Sequence, residues 1–262
     1  MIKGFLDSRI PLIFAVIFLE TNTMNRLLYV LSLVSSLLSL SCSDDYRIKG
    51  TSSLSHIDGK TITLMTSVDN EWRMVDSCEV LHGKFQMRGE ADSNFIATLF
   101  IDGQPLMPII IEPGRMEVLI NNLTFKVAGT PLNDSLYQFI ARKYRLDMRA
   151  MEVDRMESQM IMDGYPQSEI EAHLDSAYQT LGTAMEILVR DFIGSNFDNV
   201  LSLCGFSMLC NGLPYPTITL LMQSVIDEAP REFLEQPMIS RFLQTARENM
   251  EKHGMADAVC GE

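Results

Sequence analysis

The chain has 262 residues, with 34 acidic against 21 basic side chains and a net charge of −13. Hydrophobic residues make up 47%, which suits a packed core and excludes a disordered chain. The acidic balance repels phosphate backbones and anionic lipid head groups, so nucleic acid is excluded as a partner.

Residues 1–41 read as an export segment. An apolar run at 10–19 is closed by Glu20-Thr21-Asn22-Thr23. A second run at 27–40 (LLYVLSLVSSLLSL) carries no charge. It is shorter than the about 20 apolar residues a helical membrane span needs. Met24-Asn25-Arg26 gives it a positive start, and Ser39-Leu40-Ser41 ends it with small residues. That order is a secretory signal peptide. Counted from Met1 it exceeds the usual about 15–30 residues, and counted from Met24 it is normally built, so Met24 is read as the start.

Cys42 follows directly, at the lipid-acceptor position of bacterial lipoproteins. The usual pattern has leucine three places earlier, where this chain has Ser39 between Leu38 and Leu40. Ordinary cleavage nearby, leaving a soluble periplasmic protein, and an uncleaved anchor are the alternatives. Ser43, Asp44 and Asp45 resemble the acidic export signal of surface-displayed lipoproteins of Bacteroidota. A solvated acidic tether at 42–45 has the same composition. The expectation is a cell-envelope protein lipid-anchored to the outer membrane, on its periplasmic or surface face. Lys3, Arg9 and Arg26 against Asp7 and Glu20 leave the part from Cys42 onward at −14. Membrane contact is therefore expected through the lipid, not through a basic patch.

Residues 46–129 predict a β domain. Thr61-Ile62-Thr63-Leu64 alternates polar and apolar, as a half-buried strand does. Residues 80–88 predict a hairpin, with Gly83 in the turn and Phe85 and Met87 on one face. Strands are expected at 95–101, 107–111, 116–120 and 125–127. Turn signals separate them at Asp102-Gly103, Glu112-Pro113-Gly114, Asn121-Asn122 and Gly129. About seven short strands of this kind predict an antiparallel β-sandwich or half-barrel.

Residues 130–254 predict an all-helical segment, ahead of a tail at 255–262, so the fold class is α+β. Thr130-Pro131 is expected to cap and open the first helix. Ser168 opens a second. Asp198 is expected to cap a third that ends after Cys210 at Asn211-Gly212 and Pro214. Residues 217–228 form a fourth, and Pro237 opens the last, closed by Gly254.

Tyr46-Arg47-Ile48-Lys49-Gly50, Asp58-Gly59-Lys60, Val75-Asp76-Ser77, His82-Gly83-Lys84-Phe85, Ile111-Glu112-Pro113-Gly114 and Gly129-Thr130-Pro131-Leu132-Asn133 occur in this order. Together they resemble the domain of unknown function 4369 of Bacteroidota lipoproteins, over about residues 46–200. In that family the domain commonly precedes a thioredoxin-like thiol–disulfide oxidoreductase domain. This chain departs from that arrangement: eight residues follow Gly254, no Cys-x-x-Cys occurs, and the single tryptophan, Trp72, lies in the β half. The resemblance therefore implies a stand-alone accessory member, or one that lost its catalytic domain.

The residues themselves suggest little chemistry. Apart from Cys42, the cysteines are Cys78, Cys204, Cys210 and Cys260. Cys204 and Cys210 would lie about 240° apart around a helix, which disfavours a bridge and favours small buried apolar residues. His56, His82, His173 and His253 have no zinc-type spacing. Met148, Met151, Met156, Met160 and Met162 crowd one stretch. Adaptable packing is the expected reason, with a thioether copper site as the alternative. Glu112-Pro113-Gly114 and Asp76-Ser77 are read as structural, the latter preceding a strand. No catalytic residue, metal or cofactor is expected. The functional expectation is a non-enzymatic, lipid-anchored interaction or accessory module with a protein partner in the envelope. The alternatives are an accessory to, or remnant of, an envelope thiol–disulfide system, and a ligand-binding lipoprotein with a pocket between its two halves.

Overall fold

The computed structural model describes residues 45–68 and 71–252. The signal segment, Cys42, Ser43, Asp44, His253, Gly254 and Cys260 lie outside the described residues. The described residues form one compact unit, with the hydrophobic core inside it.

Among the described residues eight strands come first: β1 (Asp45–Ser52), β2 (Thr61–Val68), β3 (Glu71–Glu79), β4 (Lys84–Glu90), β5 (Phe95–Ile101), β6 (Gln104–Ile111), β7 (Gly114–Ile120) and β8 (Phe125–Ala128). They form two four-stranded sheets, ordered β4-β1-β7-β8 and β3-β2-β5-β6, that share one core as a sandwich. The first sheet begins at Asp45, inside the expected tether, where Asp45 lies opposite Glu90. Sequence alternation places Ile48, Phe85, Met87, Met116 and Val118 inward from the first sheet, and Ile62, Leu64 and Leu99 inward from the second.

Two features depart from the sequence expectation. β1 and β7 run parallel, Tyr46 opposite Gly114 through Ser52 opposite Ile120. A parallel pair needs a long crossover, and here β2 to β6 supply it. β3 was not expected, and Asp76-Ser77 lies within it rather than before a strand. This edge strand has no buried residue and carries Glu71, Arg73, Asp76 and Glu79, so it lacks the period-two signal of a half-buried strand. A register shift opposite Leu64 and Met65 leaves Val75 as the extra, bulged residue.

The motif residues of the β half are packing devices. Gly50 lies opposite Phe85, whose ring covers it: a Cβ on Gly50 would come within 2.0 Å of that ring. Tyr46 covers Gly89 in the same way, at 2.8 Å. His82 and Gly83 both have positive φ, 52° and 68°, and close the two-residue turn between Leu81 and Lys84. Asp58 Oδ1 accepts the Gly83 N–H at 3.0 Å, and the Gly83 carbonyl accepts the Ser52 N–H at 2.7 Å.

Six helices follow: α1 (Pro131–Met162), α2 (Gln167–Gly194), α3 (Val200–Asn211), α4 (Leu220–Glu228), α5 (Arg231–Leu234) and α6 (Pro237–Lys252). α1 and α2 pack as a long hairpin turned at Gly164, which has φ 76°. At its base Phe139 stacks on Phe192 with ring centroids 4.0 Å apart. Towards its tip Val153, Ile170 and Leu174 form a separate small core. Met156 and Met160 pack on that core, whereas Met148, Met151 and Met162 are exposed, so the methionines divide between two faces. Asn199, not Asp198, caps α3: its Oδ1 accepts the Leu201 N–H at 2.9 Å. Thr219 caps α4, which starts at Leu220 rather than 217. Among the described residues, no helix is long and apolar enough to cross a membrane.

Candidate functional site

The two halves are joined by a buried polar cluster where β6 meets the start of α1. Glu112, Thr130 and Asn133 are all buried there. Thr130 occupies the N-cap position of α1, but its side chain accepts no backbone N–H. Glu112 does so from the end of the sheet. Its Oε1 accepts the N–H groups of Leu132 and Asn133 at 3.0 and 3.1 Å. A carboxylate at a helix N-terminus meets otherwise unpaired N–H groups and the positive end of the helix dipole. Asn133 completes the cluster. Its Oδ1 accepts the Ile110 N–H at 3.0 Å, and its Nδ2 donates to the Ile110 carbonyl at 2.7 Å and to Thr130 Oγ1 at 3.0 Å. One turn on, the Tyr137 hydroxyl donates to the Pro108 carbonyl at 2.7 Å, and burial raises its pKa. With its polar atoms paired in this way, the cluster works as a clamp between sheet and helix, not as a reactive group.

A cleft lies on the other face of the second sheet. It measures about 520 Å³. Its floor is Ile96 and Thr98 of β5, with Pro105, Leu106, Met107 and Pro108 of β6. α3 forms one wall through Cys204, Ser207, Met208 and Asn211, and α6 adds Met238 and Arg241. On the open side Trp72 and Ser67 come from the β2–β3 edge. Trp72 is 53% exposed and meets Phe100 edge to face at 5.0 Å. The cleft is thus lined by both the sheet and the helices. Sequence patterning could not place its lining, because those residues come from elements far apart in the chain.

The walls are unusual in charge. β5, β6 and α3 contain no Asp, Glu, Lys or Arg. Among the described residues, Arg241 is the only formally charged one in the cleft lining, and its Nε donates to the Pro237 carbonyl at 3.1 Å. A second, smaller groove of about 410 Å³ lies between α1 and α2 and holds both Arg142 and Asp191.

Of the described cysteines, Cys204 lines the cleft and Cys78 and Cys210 do not. Cys42, Ser43 and Asp44 lie outside the described residues, and Asp45 is in β1. Cys78, Cys204 and Cys210 are free thiols. Burial pushes Cys204 up to about 12 and Cys210 up to about 12. Cys78 is also raised, chiefly by burial, with Asp76 adding to it against a hydrogen bond from the Gln86 backbone. Among the described residues, no three His, Cys, Asp or Glu side chains come together to hold a metal ion.

The fold therefore defines an α+β protein: a β-sandwich clamped to a helical segment, with an apolar cleft between them. Residues 46–136 match the family model for a domain of unknown function (DUF4369). The match covers the whole sandwich and ends at Leu136, one turn beyond the Glu112–Asn133 clamp. No curated protein matches the chain.

Proposed function

We propose that this is a non-enzymatic, lipid-anchored protein of the bacterial cell envelope that acts by binding, anchored through Cys42. The cleft between β5, β6 and α3 carries this reading. It is lined mostly by apolar groups and uncharged hydroxyls and amides, with Arg241 at its edge, the composition of a binding site. The apolar run before Cys42 and the acidic Ser43-Asp44-Asp45 support the anchoring. Cys42→Ala is expected to move the protein from the membrane fraction to the soluble fraction. Continued partitioning of that variant into detergent would place the anchor elsewhere.

The redox-accessory reading fares worse, because the thiolate is the reactive form and these thiols are held protonated. Native protein at pH 8 is expected to alkylate at Cys204 and Cys210 far more slowly than urea-unfolded protein. Fast, stoichiometric labelling of either in the folded state would revive the redox reading. The same shifts make stability depend on pH. A thiol whose pKa is raised by folding binds its proton more tightly in the folded state. Its contribution is complete below the unfolded value of 9.0 and is lost as pH rises towards about 12. The urea midpoint is therefore expected to fall above pH 9, and to fall less in Cys204→Ala.

A further inference from the structure

We propose that the outer face of α1 is a self-association surface, which packs antiparallel on the same face of a second copy of this chain about a two-fold axis between Met148 and Met151. The inference rests on neither the anchor nor the cleft.

α1 carries apolar side chains on two faces. Val153 points into the small core of the hairpin, with Met156 and Met160 packed beside it. At about 100° per residue, Tyr144, Met148, Met151 and Arg155 lie within about 40° of the opposite direction. Tyr144, Met148 and Met151 are 61%, 46% and 63% exposed. A helix normally places polar and charged residues on that side. Their spacing of four, three and four residues is that of a seam between paired helices. The seam has a boundary. Tyr137, two turns before Tyr144 on the same face, is buried and donates to the Pro108 carbonyl. The sandwich therefore ends the seam at its base, and a second helix must cross α1 at an angle, as packed helices commonly do at about −50°.

The charges select a second copy as the occupant. A two-fold antiparallel crossing sets Met148 against Met151 of the second copy, and Tyr144 against Arg155 of the second copy, a ring facing a guanidinium. Both contacts occur twice. In such a crossing each flank of the seam meets the same flank of the other helix. Arg145 and Glu152 share one flank, so each Arg145 meets Glu152 of the second copy. The face is complementary to itself, as an isologous interface requires. Glu152 also pairs with Arg155 at 3.5 Å in its own helix, but both side chains are well exposed and such a pair is weak. The other flank holds Asp147 and Asp154. Each is met within its own hairpin, Asp147 by Lys143 Nζ at 2.8 Å and Asp154 by the Tyr178 hydroxyl. A partner of one charge sign fits less well, because the flanks carry both signs.

The test is equilibrium sedimentation of residues 44–262, which contain the whole compact unit, with a reductant present so that no disulfide joins two chains. The expected result is a reversible monomer–dimer equilibrium. Met148→Glu and Met151→Glu should each weaken it by at least about tenfold. Leu123→Glu, at an apolar side chain 94% exposed in the β7–β8 turn, should leave it unchanged, so exposure alone does not drive the association. Arg145→Glu and Glu152→Arg should each weaken it about fivefold, there being two such pairs per dimer, and the double exchange should restore it. All these positions are on the surface, so the urea midpoint of the dilute monomer is expected to stay the same, which separates lost association from lost folding. A chain that stays monomeric up to about 0.5 mM would overturn the proposal and leave the face to another protein. A dimer indifferent to both methionine variants, or one that the double charge exchange does not restore, would overturn it as well.

Discussion

Asn133→Ala should destabilise the protein by about 3–5 kcal/mol, a large share of the about 5–15 kcal/mol that holds a typical domain. The side chain makes hydrogen bonds to the Ile110 N–H, the Ile110 carbonyl, Thr130 and Glu112. Alanine leaves the Ile110 groups buried without these partners, and each unmet group costs about 1–3 kcal/mol. Asn133→Asp, almost the same shape, is expected to be no milder. It loses the donor that faces Glu112 Oε1 at 3.2 Å and sets a second carboxylate there. Glu112→Gln keeps an acceptor oxygen for the helix N–H groups and should cost only about 1 kcal/mol. Urea unfolding measures all three, as midpoint shifts at constant slope. A loss below about 1 kcal/mol in Asn133→Ala would mean that the clamp does not hold the helix to the sheet.

Gly50→Ala is expected to cost about 3 kcal/mol, far more than alanine for glycine at an ordinary strand position. The new Cβ would fall 2.0 Å from the Phe85 ring, and that ring is itself packed in the core. Ring or strand must move. Phe85→Ala should cost about 3–5 kcal/mol by leaving a cavity. The double variant is the decisive measurement. With the ring gone the Cβ meets no clash, so the combined loss should be at least about 1 kcal/mol smaller than the sum of the single losses. Strict additivity would show that the ring is not what forbids a side chain at position 50.

Both predictions bear on what the six ordered motifs mean. Gly50, Gly83 and Phe85 build the sandwich, while Glu112, Thr130 and Asn133 fasten the first helix to it. The motifs that carry the family resemblance are thus instructions for folding, and none of their residues lines the cleft. This is the physical reason why the resemblance indicated no site. Glu112 is the instructive case. As part of Glu-Pro-Gly it read as a turn residue, and it does precede a turn. Its second role, as the cap of a helix about 20 residues later, needs the sheet and helix to be in place.

The sequence by itself determined the α+β class, most of the strands, the division near residue 130 and the turn positions. These follow from local periodicity and from residues that tolerate positive φ, such as Gly83 and Gly103. Periodicity reports which face of an element is buried. It therefore reads β2, β4 and β7 well and fails for β3, where neither face is buried. Only the tertiary structure decided the parallel pairing of β1 with β7, the capping of α1 by Glu112 and the cleft. Each joins residues that are distant in the chain, through backbone pairing or through one side chain reaching another element, and local sequence carries no record of such a meeting.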